Sequence, residues 1–584
     1  MRALRSTIRQ PAAASRAATR SSARRPIRCR ASVIDADGRR RGRADGAGIA
    51  RRRRRRPGDH RFCAEPARTC SPPRATRAPR PGNLAAILAS SRTFTLEGIS
   101  ARPVRVEVDV RRGLPAFSVV GLPDAAVREA RERVRAALSN CGFEFPLRRI
   151  VANLAPASVR KAGPGLDLPM AAALLSASGQ LTWAAPRRVA MVGELALDGS
   201  VRPIPGALAL AEAAREVGED SIVVPAANGP EAALVDGIEV IPIESLAQLP
   251  ELAAGGPIAE RPTPIQLQLS APGGGADLAD LRGQRHLRYA LEVGAAGGHS
   301  LLIVGPPGAG KSLAAARLPS ILPPLAPVEA LEVARIASAC GRLNGGPVGG
   351  RPFRAPHHTV SPAGLVGGGS PPGPGEATLA HRGVLFLDEL CEFRRDTLEA
   401  LRAPLEDGWV SISRTGARLR LPCRFMLVAA ANPCPCGRGE SDPDCTCAPL
   451  EVQRYQGRLS GALADRIDIL APVGQPSAGE IAGRAGEASA AIRERVMAAR
   501  ERQEARLGPG RCNADMTPAE ARECEISGDA AALLAEAYSR RRLSGRAHDR
   551  VLRLARTVAD LAGVDSVASD QMAQALQLRR RDHE

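Results

Sequence analysis

The chain has 584 residues, more than one hydrophobic core can organise, and a formal charge of +20. Residues 1–82 carry 24 arginines against five acids and the remaining residues 57 bases against 56 acids, so the high pI belongs to one terminal segment and argues for no basic groove in the body. The sequence lacks an apolar run of the roughly 18 residues a bilayer span needs and a secretory h-region, and its 13 cysteines are an odd, scattered set; together these exclude a membrane span and a secreted disulfide framework and point to the cytoplasm.

Residues 1–83, with Arg51 to Arg56 in an unbroken row, show no hydrophobic periodicity and are expected to be disordered. Three origins fit the composition: an upstream extension of the reading frame, an Arg/Ser-rich transit peptide, or a nucleic-acid arm. Residues 84–255 read as an α/β domain. VRVEVDV from Val104 to Val110 alternates as a half-buried strand does. A helix follows, capped by Asp124, with Val127, Ala130, Val134, Ala137, Leu138 and Cys141 on one face and Gly142 at its close. SIVVP at 221–225 is a further strand.

Residues 256–278 form a Pro/Gly-rich linker, and 279–473 read as a second α/β domain. Three apolar runs, Leu301 to Val304, Val384 to Leu387 and Phe425 to Ala431, are expected as buried parallel strands, and ligands of open α/β sheets sit at the carboxyl ends of such strands. Gly341 to Gly383 reads as a long functional insertion between two of them. Residues 474–584 are expected to be helical, as in Val551, Leu552, Leu554, Ala555, Val558 and Leu561.

The first apolar run leads into GPPGAGKS: Gly305, Pro306, Pro307, Gly308, Ala309, Gly310, Lys311 and Ser312. Strand, glycine loop and helix start form a phosphate cradle of backbone N–H groups. Lys311 is one of only two lysines in the chain, the other being Lys161, and a compact ammonium fits among phosphates where a planar guanidinium is oversized. Asp388 and Glu389 after VLFL form a Walker B pair, the aspartate for Mg²⁺ beside Ser312 and the glutamate for the attacking water. Asn432, ending FMLVAAAN, is placed to orient that water.

GPPGAGKS, GVLFLDEL, AANPCPCG, RLSGALADRID and LSGRAHDRVLRLARTVADLAG together resemble the magnesium-chelatase-like AAA+ ATPases of the YifB/ComM type. The resemblance implies a Lon-protease-like N-terminal α/β domain, a P-loop AAA+ core with a parallel sheet and a C-terminal helical lid. It also implies ATP and Mg²⁺ at the interfaces of a homohexamer. Carried over by position, Asn432 resembles sensor 1, Arg466 in ADRID the arginine finger offered to a neighbouring subunit, and Arg546 in LSGR sensor 2. Arg458 is the rival finger, and an intrachain bridge from Arg466 to Asp465 or Asp468 is the structural alternative. Cys391 stands where the family has proline.

Within the Lon-like domain, Gly165 in GPGLD and Leu208 in PGALAL occupy the positions that active Lon-type proteases fill with serine and lysine. Glycine offers no nucleophile and leucine no base, so peptide hydrolysis is not expected. Lys161 reads as a packing residue or an anion ligand.

Cys434, Cys436, Cys445 and Cys447 form CxC-x8-CxC, a spacing that suits structural Zn²⁺ on four thiolates, with free or redox-active thiols as the alternatives. His357 and His358 are read as loop residues without a metal. Aromatic residues make up 2% of the chain, too few for a base-stacking platform, so a DNA partner, single-stranded or branched, is expected to be held by arginine on phosphate. The resemblance thus implies an ATP-driven DNA remodeller of the kind used in branch migration during transformation, with a chelatase-like remodeller of a protein partner as the alternative.

Overall fold

The computed structural model describes residues 87–184, 187–256, 260–269, 276–343, 348–369, 372–414, 417–439, 442–458, 461–541 and 544–579, so the arginine-rich segment expected to be disordered lies outside the described residues. The N-terminal part is a seven-stranded mixed sheet ordered Ala116–Val120, Arg149–Ala155, Ser100–Arg111, Ile87–Glu97, Val189–Met191, Ser221–Pro225 and Glu239–Ile243. The alternation of VRVEVDV sets its register: Val104, Val106, Val108 and Val110 turn inward with at most 6% exposure. Each such valine contributes about 1.5–3 kcal/mol of burial. The helix Ala125–Asn140 lays the predicted face, Val127 to Leu138, on that sheet, and the Asp124 carboxylate accepts the Val127 N–H at 2.8 Å.

The second sheet has five strands, all parallel, in the order Phe353–Arg354, Val384–Leu387, Met426–Ala431, Leu301–Val304, Ile469–Pro472. Leu301 pairs with both Val428 and Ile469, which makes Leu301–Val304 an interior strand and puts its loop GPPGAGKS at the sheet's carboxyl edge. Two strands go beyond the three read from sequence, and one corrects the reading of 341–383. That stretch is not wholly an insertion, because Phe353–Arg354 forms an edge strand on Val384–Leu387. Two residues are too few to show a period.

The helices Ser489–Leu507, Gly528–Arg541, Gly545–Leu561 and Ser569–Gln577 follow, and Val551, Leu552, Leu554, Ala555 and Val558 share one buried core with Leu291, Leu301 and Ile303. A polar joint reinforces that packing. Buried His299 shares a hydrogen bond with Thr557 at 2.8 Å and faces Asp468 at 3.4 Å, and Arg550 lies 3.5 Å from the same carboxylate.

The helices Ala207–Glu216 and Pro327–Ala339 join the two sheets' territories. The Gly206 N–H donates to the Ser338 carbonyl at 2.9 Å, the Leu208 N–H to its hydroxyl at 3.4 Å, and Arg335 to Glu212 at 2.7 Å. No helix among the described residues is long and apolar enough to cross a membrane.

Candidate functional site

Three strand ends deliver the polar side chains predicted from sequence to one cavity of about 380 Å³, lined by the phosphate loop, Asp388, Glu389 and Asn432. The loop starts where Gly305 has no room for a side chain: a Cβ there would lie 2.3 Å from the Val473 carbonyl oxygen. It ends at Gly310, whose left-handed backbone (φ 85°) turns the chain into the helix Lys311–Arg317. The first N–H groups of that helix lack intrahelical partners and face the cavity mouth.

Lys311 Nζ donates to the Gly305 carbonyl at 2.6 Å, the Pro306 carbonyl at 2.9 Å and Asn432 Oδ1 at 2.9 Å. The ammonium therefore sits inside the arch of the loop. Burial lowers its pKa, against the opposing pull of Asp388 and Glu389. Ser312 Oγ donates to Asp388 Oδ2 at 2.7 Å. A hydroxyl and a carboxylate meeting at the phosphate loop form an oxygen donor pair suited to Mg²⁺.

Glu389 adopts a left-handed backbone, φ 52° and ψ 49°, which for a residue with a side chain costs about 1–3 kcal/mol and marks a position held for a purpose. Its carboxylate stays more than half exposed, and its Oε2 lies 3.6 Å from His358 Nδ1. His358 is a site residue that the sequence reading passed over. Its ring centroid lies 4.0 Å from that of His357 with the planes tilted by 34°, and the contact with Glu389 arises because Phe353–Arg354 pairs beside Val384–Leu387. His357 itself turns to Thr359, with Nδ1 and Oγ1 2.9 Å apart.

The three arginines differ in placement. Arg466, read as the finger, is 8% exposed and paired with Glu406 of its own chain, a partner other than the neighbouring aspartates weighed from sequence. Arg458 is 54% exposed and bonds Glu392 and the Cys391 carbonyl, at 3.2 and 3.0 Å. Arg546 is exposed in the first turn of Gly545–Leu561 and makes no hydrogen bond or ion pair among the described residues.

Gly165 and Leu208, which the resemblance sets at the nucleophile and base positions, have apolar surroundings. Leu208 is fully buried, one turn past Ile204, whose Cδ1 would lie 3.6 Å from a Cβ on Gly165. Lys161 is buried, and its ammonium donates to the Pro156 carbonyl while its backbone pairs with Leu122 and Asp124. The lysine thus serves packing.

Cys434, Cys436, Cys445 and Cys447 place their sulfurs within 4.8 Å of one another, directly after Asn432. The Arg438 backbone N–H, followed by the Cys434 thiol, holds Cys436 down to about 6.

Residues 106–228 match the family described as subunit ChlI of Mg-chelatase, 277–481 match magnesium chelatase, subunit ChlI, and 486–579 match its C-terminal family. The chain is 45% identical over 503 residues to an uncharacterised protein of Mycobacterium tuberculosis, covering 84% of this chain and 99% of that one. It is 42% identical over 492 residues to the uncharacterised protein YifB of Escherichia coli, covering 83% and 96%. It is 40% identical over 489 residues to competence protein ComM of Haemophilus influenzae, covering 82% and 95%. A shorter match, 31% over 115 residues, reaches Lon protease 2 of Bacillus subtilis, 19% of this chain and 20% of that protein. With GPPGAGKS, two acids and Asn432 set at the edge of a parallel sheet, and with relatives this similar over nearly their whole length, the chain belongs to the YifB/ComM-type magnesium-chelatase-like family.

Proposed function

We propose that the protein is an ATPase of the AAA+ type that works as a homohexameric ring and remodels DNA. The observation that carries the reading is the meeting of Lys311, Ser312, Asp388, Glu389 and Asn432 on one cavity at the carboxyl edge of a parallel sheet. Backbone N–H groups of Gly308 to Lys311 bind the phosphates, and Lys311 exchanges its loop carbonyls for phosphate oxygens. Ser312 and Asp388 would hold Mg²⁺, whose charge offsets that of the phosphates when bound. Glu389 takes a proton from the attacking water, and Asn432 orients that water beside the terminal phosphate.

Hydrolysis in a ring further calls for an arginine from the neighbouring protomer. Arg458 is the one already at the surface, whereas Arg466 must first leave Glu406. The domain pattern follows the same reading: an ATPase core with its helical lid at 279–584, and a Lon-like domain at 84–255 that serves as scaffold. DNA is the proposed substrate because a relative of matching length is named a competence protein.

The test is phosphate release by the purified chain with and without forked DNA, beside Glu389→Gln. The expected result is DNA-stimulated turnover that falls about a hundredfold or more in the variant while ATP binding persists. Turnover unaffected by DNA at low salt overturns the DNA substrate and favours a protein partner. Equal turnover in the variant overturns the role of Glu389.

A further inference from the structure

We propose that Cys434, Cys436, Cys445 and Cys447 hold one zinc ion as four thiolates, and that the resulting clip is a strut of the phosphate loop, seating Pro307 and Asn432 for nucleotide. The first half stands by itself; the second rests on the nucleotide reading above.

The sulfurs are spaced for an ion. Cys434 Sγ lies 3.3 Å from Cys436 Sγ and 3.8 Å from Cys445 Sγ, and the latter two are 3.6 Å apart. Four sulfurs at about 2.3 Å from a tetrahedral zinc stand roughly 3.8 Å from one another, which these three pairs match to within about half an ångström, and Cys447 Sγ lies within 4.8 Å of the other three. A disulfide requires about 2.05 Å, which none of these pairs approaches. Backbone donors already point at sulfur, Gly439 N–H to Cys434 at 3.2 Å and Cys436 N–H to Cys447 at 3.3 Å.

Arg438 and Asp444, paired at 2.8 Å, tie the two limbs of the loop together and place a cation beside a centre of net negative charge. Gly437 and Gly439, both left-handed, make the turn between the limbs. The all-sulfur donor set selects a soft metal, so zinc here does not compete with magnesium at the oxygen donors Ser312 and Asp388.

The clip reaches the phosphate loop by two routes. Gly437 lies directly on Pro307: a Cβ at Gly437 would stand 2.8 Å from Pro307 Cδ and 2.9 Å from Cγ. The other route is covalent, since Asn432 precedes Cys434 by two residues and its Oδ1 accepts from Lys311 Nζ at 2.9 Å. Around this contact Gln456 Nε2 donates to the Pro433 carbonyl at 3.1 Å and Gln475 Nε2 to the Pro307 carbonyl at 3.2 Å. With an ion at its centre the loop becomes a fixed wall behind Pro307 and Asn432. Without one, weak thiol contacts, the Arg438–Asp444 pair and the Gln456 hydrogen bond are left to keep it there.

The experiment measures metal and nucleotide separately on the full chain purified without chelator. Elemental analysis is expected to give one zinc per chain, and cobalt exchanged into the wild-type protein is expected to show the intense visible bands of a tetrahedral tetrathiolate site. The double variant Cys445→Ser, Cys447→Ser, altered on the limb farther in sequence from Asn432, should lose the zinc and bind a fluorescent ATP analogue about tenfold more weakly. Gly437→Ala should keep the zinc and still bind the analogue more weakly. Stripping zinc from the wild type with a mercurial and a chelator, then restoring it, gives the same comparison where a variant does not fold.

Absence of metal, iron in its place, or a disulfide among the four cysteines overturns the zinc site. Zinc present with nucleotide affinity indifferent to its removal overturns the strut. Zinc-loaded wild-type protein that binds no nucleotide overturns the ATPase reading and leaves the metal site standing.

Discussion

Two helices in this molecule begin in the same way and end up with opposite tasks. Lys311–Arg317 follows Gly310 at φ 85° and ψ 18°, and Ala207–Glu216 follows Gly206 at φ 82° and ψ 18°. In both, a glycine takes a conformation that residues with a side chain avoid and turns the chain sharply into a helix whose first N–H groups need partners. At Gly310 those groups open onto a cavity of about 380 Å³, with an ammonium and a hydroxyl as the first two helical side chains. At Gly206 the partners are already in place, for the Ser338 carbonyl takes the Gly206 N–H and the Ser338 hydroxyl that of Leu208. The helix start itself is generic. Open space and a charged side chain make it a site, and a neighbouring helix with leucine makes it an interface.

The comparison is most severely tested at Lys311. Lys311→Ala removes the cation while leaving Gly310 and the helix intact, and phosphate release is expected to fall by about a hundredfold or more. Turnover that survives the change would mean the cavity lacks the proposed role. The complementary attempt adds function at the other helix by pairing Gly165→Ser with Leu208→Lys. Because Leu208 is fully buried and its helix start is covered by Ser338, an ammonium there is desolvated without an anion. The expected outcome is a loss of about 2–4 kcal/mol in chemical denaturation and no peptide hydrolysis. Peptidase activity in that double variant would show that the two helix starts differ only in side chain.

The phosphate site was legible because its residues are contiguous or follow a strand at once: GPPGAGKS after LLIV, Asp388 and Glu389 after VLFL, Asn432 after MLVAAA. Local order fixes such positions, and the alternation of Val104 to Val110 fixes a register in the same way. What stayed hidden depends on contacts between distant segments. The two-residue strand Phe353–Arg354 shows no period, yet its pairing brings His358 to Glu389. Arg466 and Glu406 meet only through tertiary packing, so the sequence offered the adjacent aspartates as partners instead. Glycine at 165 and leucine at 208 lead to the expectation of no peptide hydrolysis, but no local signal points to Ser338 as the residue that accepts the Gly206 and Leu208 N–H groups. The cysteine spacing revealed a metal-ligand set, whereas the seat of Gly437 on Pro307 required the fold.

The smallest effect is expected at the rim of the occupied helix start. Arg335 reaches Glu212 at 2.7 Å, with side chains 36% and 11% exposed, so water screens part of the attraction. Beneath the pair, the helix Ala207–Glu216 is joined to Pro327–Ala339 by apolar burial: Leu208, Leu210 and Ala211 lie in one cluster with Ala334. If burial and the Ser338 contacts hold the two helices together, Arg335→Ala costs about 0.5–1 kcal/mol in denaturant titration and leaves ATP turnover unchanged. Ser338→Ala, which removes the hydroxyl but not the carbonyl partner of Gly206, should cost more than Arg335→Ala, because it strands the buried Leu208 N–H. The reverse ranking would mean that charge rather than burial fastens the Lon-like domain to the domain of the parallel sheet, and the interface side of the comparison would have to be rebuilt on electrostatics.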